Sequence, residues 1–287
     1  MDNIIVLGGS GYVASKIKKY WKNSDFNLIF CPLKDFNYLD SEELVNLISV
    51  SKAKYIINCY GYTGKPNVDS CELNKEECYS RNVDHNLFIH IHSTVPVITI
   101  SSGCIYNTDS GELIEYTEAC SHNFGHSNPT ASHYSRTKSK FEQLFKDFKL
   151  DDRDYILRIR MPFDDDLDDP KNYIGKLLKY NLKVNYLNSL THLEDLTRFI
   201  EIIVSSEVET GVYNVVNAGG INTDTILSLN AISYIDPKVY DFFSTDDLLS
   251  MGMMNCRRSN CVLSTDKIKK YYDIPKAIDR VKEVLSK

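Results

Sequence analysis

Ile4-Ile5-Val6-Leu7-Gly8-Gly9-Ser10-Gly11-Tyr12-Val13-Ala14 decides the fold: four apolar residues, a glycine-rich turn, then a helical pattern from about Tyr12 to Trp21. Four apolar side chains in a row predict a strand covered on both faces. Glycines directly after such a strand let the backbone approach a pyrophosphate. The helix that follows offers free N–H groups and the positive end of its dipole. Gly8, Gly11 and Ala14 give the spacing Gly-x-x-Gly-x-x-Ala. Many tight turns collect glycines, so it is the strand–turn–helix context that makes this a candidate phosphate cradle. Gly8, Ser10, Gly11, Tyr12 and Val13 are its candidate cofactor-binding residues.

The same apolar theme recurs at Leu28–Phe30, Tyr55–Ile57, Val97–Ile100 and Tyr155–Leu157. Helical patterns lie between these runs, near 41–50, 72–93 and 132–148. Alternating strand and helix predicts an α/β fold, a doubly wound parallel sheet of Rossmann-like type, with ligands at the carboxyl ends of the strands. After Pro162 the texture changes: an acidic loop, a helix around 171–180, another near 193–205, and a strand over Val212–Val216 that returns to the sheet. The expected division is a dinucleotide-binding domain over 1–162 with 190–217 returning to it. A smaller substrate domain takes 163–189 and 218–287.

The chain has 287 residues, 43% hydrophobic and 25% charged, which is ordinary for a globular protein. A net charge of −6 with no basic cluster argues against nucleic acid as a partner. No apolar stretch approaches the roughly 20 residues that cross a bilayer, and no signal-peptide pattern opens the chain, so no membrane role and a cytoplasmic location are expected. The eight cysteines form no CxxC pair and no Cys/His ligand spacing; they read as reduced thiols, and no metal is expected.

The second strand runs out through Phe30-Cys31-Pro32-Leu33-Lys34, with no acid before Asp35 to hold ribose hydroxyls. Lys34 offers a charge for a 2′-phosphate, which favours NADPH over NADH. A solvated surface lysine is the competing reading. Tyr134-Ser135-Arg136-Thr137-Lys138 lies in a helical pattern, and spacing of four puts Tyr134 and Lys138 on one face. An adjacent ammonium lowers a phenol pKa, which suits the pair to proton transfer. Ser102, in Ser101-Ser102-Gly103-Cys104-Ile105-Tyr106 just past the fourth strand, can donate to a carbonyl oxygen that Tyr134 also contacts, so the two would stabilise an oxyanion. Each motif arises often by chance; their conjunction in one chain is what carries weight.

Gly-x-x-Gly-x-x-Ala, Ser-x-x-Ile-Tyr and Tyr-x-x-x-Lys together resemble the extended short-chain dehydrogenases that act on nucleotide sugars. Longer strings resemble, more closely, the bifunctional UDP-4-keto-6-deoxyglucose 3,5-epimerase/4-reductases of rhamnose synthesis. These are Gly61-Tyr62-Thr63-Gly64-Lys65-Pro66-Asn67-Val68-Asp69, Gly103-Cys104-Ile105, Arg160-Met161-Pro162, Asn188-Ser189-Leu190-Thr191 and Arg258-Ser259-Asn260. The one departure is Ala14, where that family more often has glycine. The resemblance implies an enzyme that inverts C3 and C5 of a UDP-linked 4-keto-6-deoxy sugar and then reduces C4 with NADPH, giving UDP-L-rhamnose. It implies Cys104 and Lys176 as the acid/base pair, beside Ser102, Tyr134 and Lys138. It places Lys34, Tyr60, Gly61, Tyr62, Asn82, Arg160 and Pro162 toward the cofactor, and Thr63, Lys65, Asn67, Asn172, Asn188, Arg258 and Asn260 toward the substrate. It further implies a homodimer and a separate 4,6-dehydratase to supply the keto sugar.

Two other readings stand beside this one: a plain 4-keto reductase similar to dTDP-4-dehydrorhamnose reductase, and a catalytically idle NADP-binding regulatory subunit. The seven histidines read as structural or surface residues, with His133 nearest the site through Tyr134. The acidic run Asp164–Asp169 reads as a solvated loop.

Overall fold

The computed structural model describes residues 2–32, 34, 37, 39–65, 67–108, 113–180, 182–231 and 241–287, with the Leu182 side chain left aside. Asp35 and Pro66, singled out above, lie outside the described residues.

Six strands form one parallel sheet. They are β1 (Asp2–Leu7), β2 (Phe26–Cys31), β3 (Ala53–Asn58), β4 (Val97–Ser102), β5 (Tyr155–Ile159) and β6 (Gly211–Asn214). Their spatial order is β2-β1-β3-β4-β5-β6, with every neighbouring pair parallel. The order reverses at β1/β3, so the crevice beyond the carboxyl ends of those two strands is where a doubly wound sheet takes a ligand.

Period-2 geometry sends Ile4 and Val6 to one face and Ile5 and Leu7 to the other, and both faces are covered. On the first, α1 (Tyr12–Tyr20) and α8 (Leu193–Ser205) pack Ile17, Leu196, Phe199 and Ile200 against Ile4, Val6, Ile57, Ile98 and Leu157. On the second, α2 (Ser41–Ser51) brings Leu44 and Ile48 to Ile5, Leu7 and Ile56, and α6 (His133–Asp147) brings Phe141 and Phe145 to Ile156. A separate core gathers Phe163, Ile174, Leu190, Ile221, Ile226, Ala277, Val281 and Val284. It is built from α7 (Tyr173–Lys179), α9 (Thr223–Ala231), α11 (Ala277–Leu285) and the short pairs between them; α10 (Thr245–Ser250) lies outside it.

The helical pattern near 72–93 is not one helix. It is α3 (Ser70–Leu73), α4 (Lys75–Tyr79), a π turn over Ser80–Asp84 and α5 (His85–His92). Asn74 ends the first piece by donating its amide to the Ser70 carbonyl at 2.9 Å, a local bond that competes with the helix ladder. The extra residue of the π turn carries Asn82 into the interior, where it is fully buried.

The acidic run is a solvated loop only in part: Asp166 and Asp168 are exposed, but its first residue is not. Asp164 is fully buried and pairs with Lys16 at 3.0 Å and Lys19 at 3.5 Å, while the Tyr12 hydroxyl donates to it at 3.1 Å. Pro162-Phe163 pairs in parallel with Thr191-His192. That pairing lays the run over the cationic face of α1, and a buried carboxylate is tolerated only where such partners meet it.

Candidate active site

The glycine turn has the shape of a cradle. Gly8 takes φ +68°, and a Cβ there would come within 3.0 Å of the Cys59 and Tyr60 backbone. A side chain on Gly9 would meet the Cys31 amide at 3.1 Å. Gly11 N–H donates to the Gly8 carbonyl at 2.8 Å and is the N-cap of α1 with no side-chain cap, so the first-turn N–H groups stay open. Ser10 is exposed at the lip. The floor is therefore bare backbone beside a helix N-terminus, which fits a dinucleotide pyrophosphate. Ala14, fully buried, fills its place in the core without disturbing the turn. Lys34 is exposed beyond β2.

Across the crevice, β3 leads into Cys59-Tyr60-Gly61-Tyr62. Asn82 fixes this segment: its Oδ1 accepts from Tyr62 N–H at 2.8 Å and its amide donates to the Tyr62 carbonyl at 2.9 Å. The same amide reaches Thr137 Oγ1 at 3.2 Å and Cys78 Sγ at 3.4 Å. A Cβ on Gly61 would lie 3.2 Å from Asn82 Oδ1 and 3.5 Å from Lys138 Nζ. Gly61, Asn82 and Lys138 are thus neighbours.

Strand β4 and helix α6 bring the reactive groups together. Ser102 Oγ accepts from Cys104 N–H at 3.3 Å, which turns the chain back after the strand. Ser132 caps α6 by accepting from Ser135 N–H at 3.1 Å, and one helical turn then sets Lys138 Nζ 5.9 Å from the Tyr134 ring centre. The Ser102 hydroxyl acts on both the Tyr134 phenol and the Cys104 thiol, and Ser135 also acts on Cys104. Behind them, Ser101 donates to Glu142 at 2.9 Å, and Glu142 meets Arg158 at 2.7 Å with both ions fully buried.

Burial dominates the titration of this cluster. It pushes the Tyr134 phenol well above its ordinary value, with Cys104 adding to the push and the Ser102 hydroxyl opposing it. It lowers the Lys138 ammonium and raises the Cys104 thiol; the Ser102 and Ser135 hydroxyls, Arg160 and Lys138 pull Cys104 back. The expected lowering of Tyr134 by Lys138 is thus not found. The ammonium stands over the ring, itself desolvated, and the phenol loses more by leaving water than it gains.

Lys176 is half-buried on α7 and is lowered by burial and by Lys171, with Asp169 opposing. No hydrogen bond or ion pair among the described residues joins it to Cys104 or Tyr134. Asn172 is committed to the fold: it caps α7 through Gly175 N–H at 3.1 Å and donates to the Asp164 and Asp166 carbonyls at 2.7 and 2.9 Å. Arg160 donates to Asn188 Oδ1 at 2.6 Å and to the Ser259 carbonyl. Its neighbours are therefore segments expected on the substrate side. Met161, between Arg160 and Pro162, has φ +40°, a conformation rare for a non-glycine residue.

Thr63, Lys65 and Asn67 are exposed in the loop after β3. Arg258 clasps that loop through Asp69 at 2.6 Å, and Asn260 takes a bond from its backbone N–H to Asn107 at 2.8 Å. His133 donates its backbone N–H to Glu72 at 2.5 Å and reaches the Lys75 carbonyl, so it ties α6 to α3 and α4 and does not enter the cluster. Sequence reasoning overlooked Ser135, Thr137, Cys78, Glu142 and Arg158. Glu142 had a signal, being one turn beyond Lys138 on the same helix face.

A glycine turn at a helix N-terminus, a Ser–Tyr–Lys cluster and a parallel sheet whose order reverses at β1/β3 define a Rossmann-like α/β protein. Within that class the chain belongs to the RmlD substrate binding domain family, whose model matches residues 1–227. It is 30% identical over 282 residues to a bifunctional dTDP-4-dehydrorhamnose 3,5-epimerase/dTDP-4-dehydrorhamnose reductase from Arabidopsis thaliana, covering 93% of this chain and 86% of that one. The UDP-rhamnose synthase of Acanthamoeba polyphaga mimivirus has the same fold, with TM-score 0.82 and 22% identity over 99% of this chain and 98% of that one. So does dTDP-4-dehydrorhamnose reductase from Bacillus anthracis in complex with NADP, with TM-score 0.79 and 16% identity over 99% of this chain and 99% of that one.

Proposed function

We propose that this chain is an NADPH-dependent nucleotide-sugar 3,5-epimerase/4-reductase that converts UDP-4-keto-6-deoxy-D-glucose to UDP-L-rhamnose. The observation that carries the reading is the meeting of the Ser102 hydroxyl, the Tyr134 phenol and the Cys104 thiol beside Lys138 and Gly61. The relatives add the substrate class: one is named for both epimerase and reductase steps, another for UDP-rhamnose. The NADP-bound neighbour supports the cofactor.

A C4 ketone acidifies the protons on C3 and C5, because loss of either leaves an enolate with its charge on the C4 oxygen. Ser102 and Tyr134 donate to that oxygen, and a well-placed donor of this kind contributes about 3–4 kcal/mol. Cys104 and Lys176, on opposite ring faces, remove and return protons until both centres are inverted. NADPH, when bound, supplies the hydride for C4. Tyr134 then gives the C4 oxygen its proton, and Lys138, against Gly61 and Asn82, holds the cofactor ribose. A substrate unit over 163–189 and 218–287 would have the second core as its interior, while Ile268 and Ile274 pack in the core of the sheet.

The test supplies UDP-, dTDP- and GDP-linked 4-keto-6-deoxy sugars with NADPH in deuterated water. The proposal expects cofactor oxidation with deuterium at C3 and C5 of the UDP product. Oxidation only of an already epimerised sugar, without deuterium uptake, would make the chain a plain reductase. No oxidation of any of them would leave an idle binding subunit.

A further inference from the structure

Two of the buried cations among the described residues, Lys16 and Arg158, each meet a carboxylate, at 3.0 and 2.7 Å. Arg160, only 6% exposed, meets none among the described residues. Its Nη2 donates to two neutral acceptors, Asn188 Oδ1 and the Ser259 carbonyl, and its Nε is buried without a hydrogen-bond partner. Keeping an ion out of water without a counter-ion is expensive. Such a group is readily explained if an anion forms beside it.

The candidate anion is close. The register sets Ser102 opposite Ile159, so Arg160 leaves β5 level with Gly103 and Cys104. Asn188 Oδ1 also accepts from Cys261 N–H at 3.1 Å, and Cys261 Sγ donates to the Gly103 carbonyl at 3.3 Å. Three hydrogen bonds, through Asn188 and Cys261, therefore link the Arg160 side chain to the carbonyl of Gly103, the residue before Cys104. The titratable groups shown to act on or with Cys104 are Tyr134 and Lys138 from α6 and Arg160 from the end of β5. Two of these are cations. Lys138 is desolvated and gives up its charge readily, whereas a guanidinium stays protonated.

We propose that Arg160 is the fixed counter-charge that stabilises the thiolate of Cys104, a positioning residue for proton transfer at the sugar ring and not a cofactor ligand. The inference rests on the epimerase reading for its purpose, though not for its test. In the step it serves, the thiolate takes a proton from C3 or C5. An S–H bond forms, the C–H bond breaks, and its electron pair enters an enolate whose charge sits on the C4 oxygen. Lys176 delivers a proton to the opposite face of that carbon; at the other centre the roles reverse, the lysine amine taking the proton and the thiol giving its own, which restores the thiolate with no oxidant or reductant involved.

The rate at which iodoacetamide alkylates Cys104, followed peptide by peptide in the full chain from pH 6 to 10, reports its thiolate fraction without substrate. Arg160→Gln should slow that rate about tenfold or more below the thiol's pKa, because loss of a nearby opposite charge disfavours the thiolate by about that factor. Arg160→Lys should retain most of it, and Cys120 should be unaffected in both. Asn188→Asp is the second variant: it keeps both acceptor bonds while placing a carboxylate on the guanidinium, and it should also slow Cys104 about tenfold. Unchanged Cys104 rates in Arg160→Gln and Asn188→Asp would overturn the proposal. So would equal, pH-independent losses in Arg160→Gln and Arg160→Lys, which would mark a structural role. Slowed alkylation in an enzyme that takes up no deuterium would sink the epimerase reading and leave the role of Arg160 standing.

Discussion

Tyr134 and Lys138 are both driven toward their neutral forms by the same burial that brings them together. A phenol raised above its usual value remains a proton donor across the whole range in which the protein would be assayed. Reduction of an already epimerised 4-keto sugar should therefore show no alkaline loss of kcat/KM up to about pH 9.5, since the donor form is lost only as pH rises through the raised pKa. A fall centred between about pH 6 and 8 would mean that Lys138 does depress the phenol. Under the proposed function Ser102 donates to the C4 oxygen, and Ser102→Ala should then lower kcat by about 10²–10³ with KM little changed. Stopped-flow oxidation of NADPH measures both. The parts of this cluster that were legible in the sequence are those whose chemistry is local: a Tyr and a Lys four apart, and a Ser and a Cys two apart at a strand end. What was not legible is the sign of the Tyr134 shift, because desolvation depends on which distant segments cover the helix.

Helix α6 does more than carry the tyrosine. Glu142, two turns beyond Tyr134, binds Ser101 and Arg158 and so fixes the helix to the adjoining ends of β4 and β5. Burial alone would raise its carboxyl, but Arg158 and His122 bring it down to about 2 from an ordinary 4.5. A folded-state pKa below the unfolded one contributes stability above the unfolded value and loses it as pH falls through the folded one. The Glu142 contribution should thus be complete above about pH 4.5 and vanish toward pH 2. Glu142→Gln should cost about 3–5 kcal/mol at neutral pH, by leaving Arg158 buried and unpaired. It should also flatten the acid limb between those two values, as denaturant unfolding at a series of pH values would show. The six strands of the sheet were predictable because strands covered on both faces read as short unbroken apolar runs. The broken helix over 70–92 was not. Its pieces keep a helical apolar spacing, while the interruptions come from what Asn74 and Asn82 do with their amides, at a carbonyl four residues back and on a loop 20 residues away.

At the scale of the molecule, ion pairs fasten the sheet to the second core: Arg280 on α11 meets Asp195 on α8 at 2.6 Å, and Asp164 meets the cations of α1. Lys16 and Lys19 come from α1, the helix that opens at the glycine turn; Asp164 follows Phe163 and begins the segment that leads to α7, both of which enter the other core. Asn172 holds the far side of that loop, and Lys287 at the chain's end reaches Asp165 at 2.9 Å. No feature of the acidic run taken alone told it apart from a solvated loop, because its partners lie some 150 positions earlier. Removing the charge tests the connection. Asp164→Asn keeps the size and one acceptor but leaves Lys16, 7% exposed at its side chain, with only the more exposed Asp166 and Asp169. The expected loss is about 3–5 kcal/mol if the lysine stays buried, and less if the loop swings away to let water reach it. Hydrogen exchange separates these outcomes. If the loop swings, amides of α7 and α11 should exchange at least tenfold faster while those of β1, β3 and β4 keep their protection. Uniform acceleration through both cores would instead mean that sheet and second core unfold as one cooperative unit, with Asp164 as an ordinary member of a single interior.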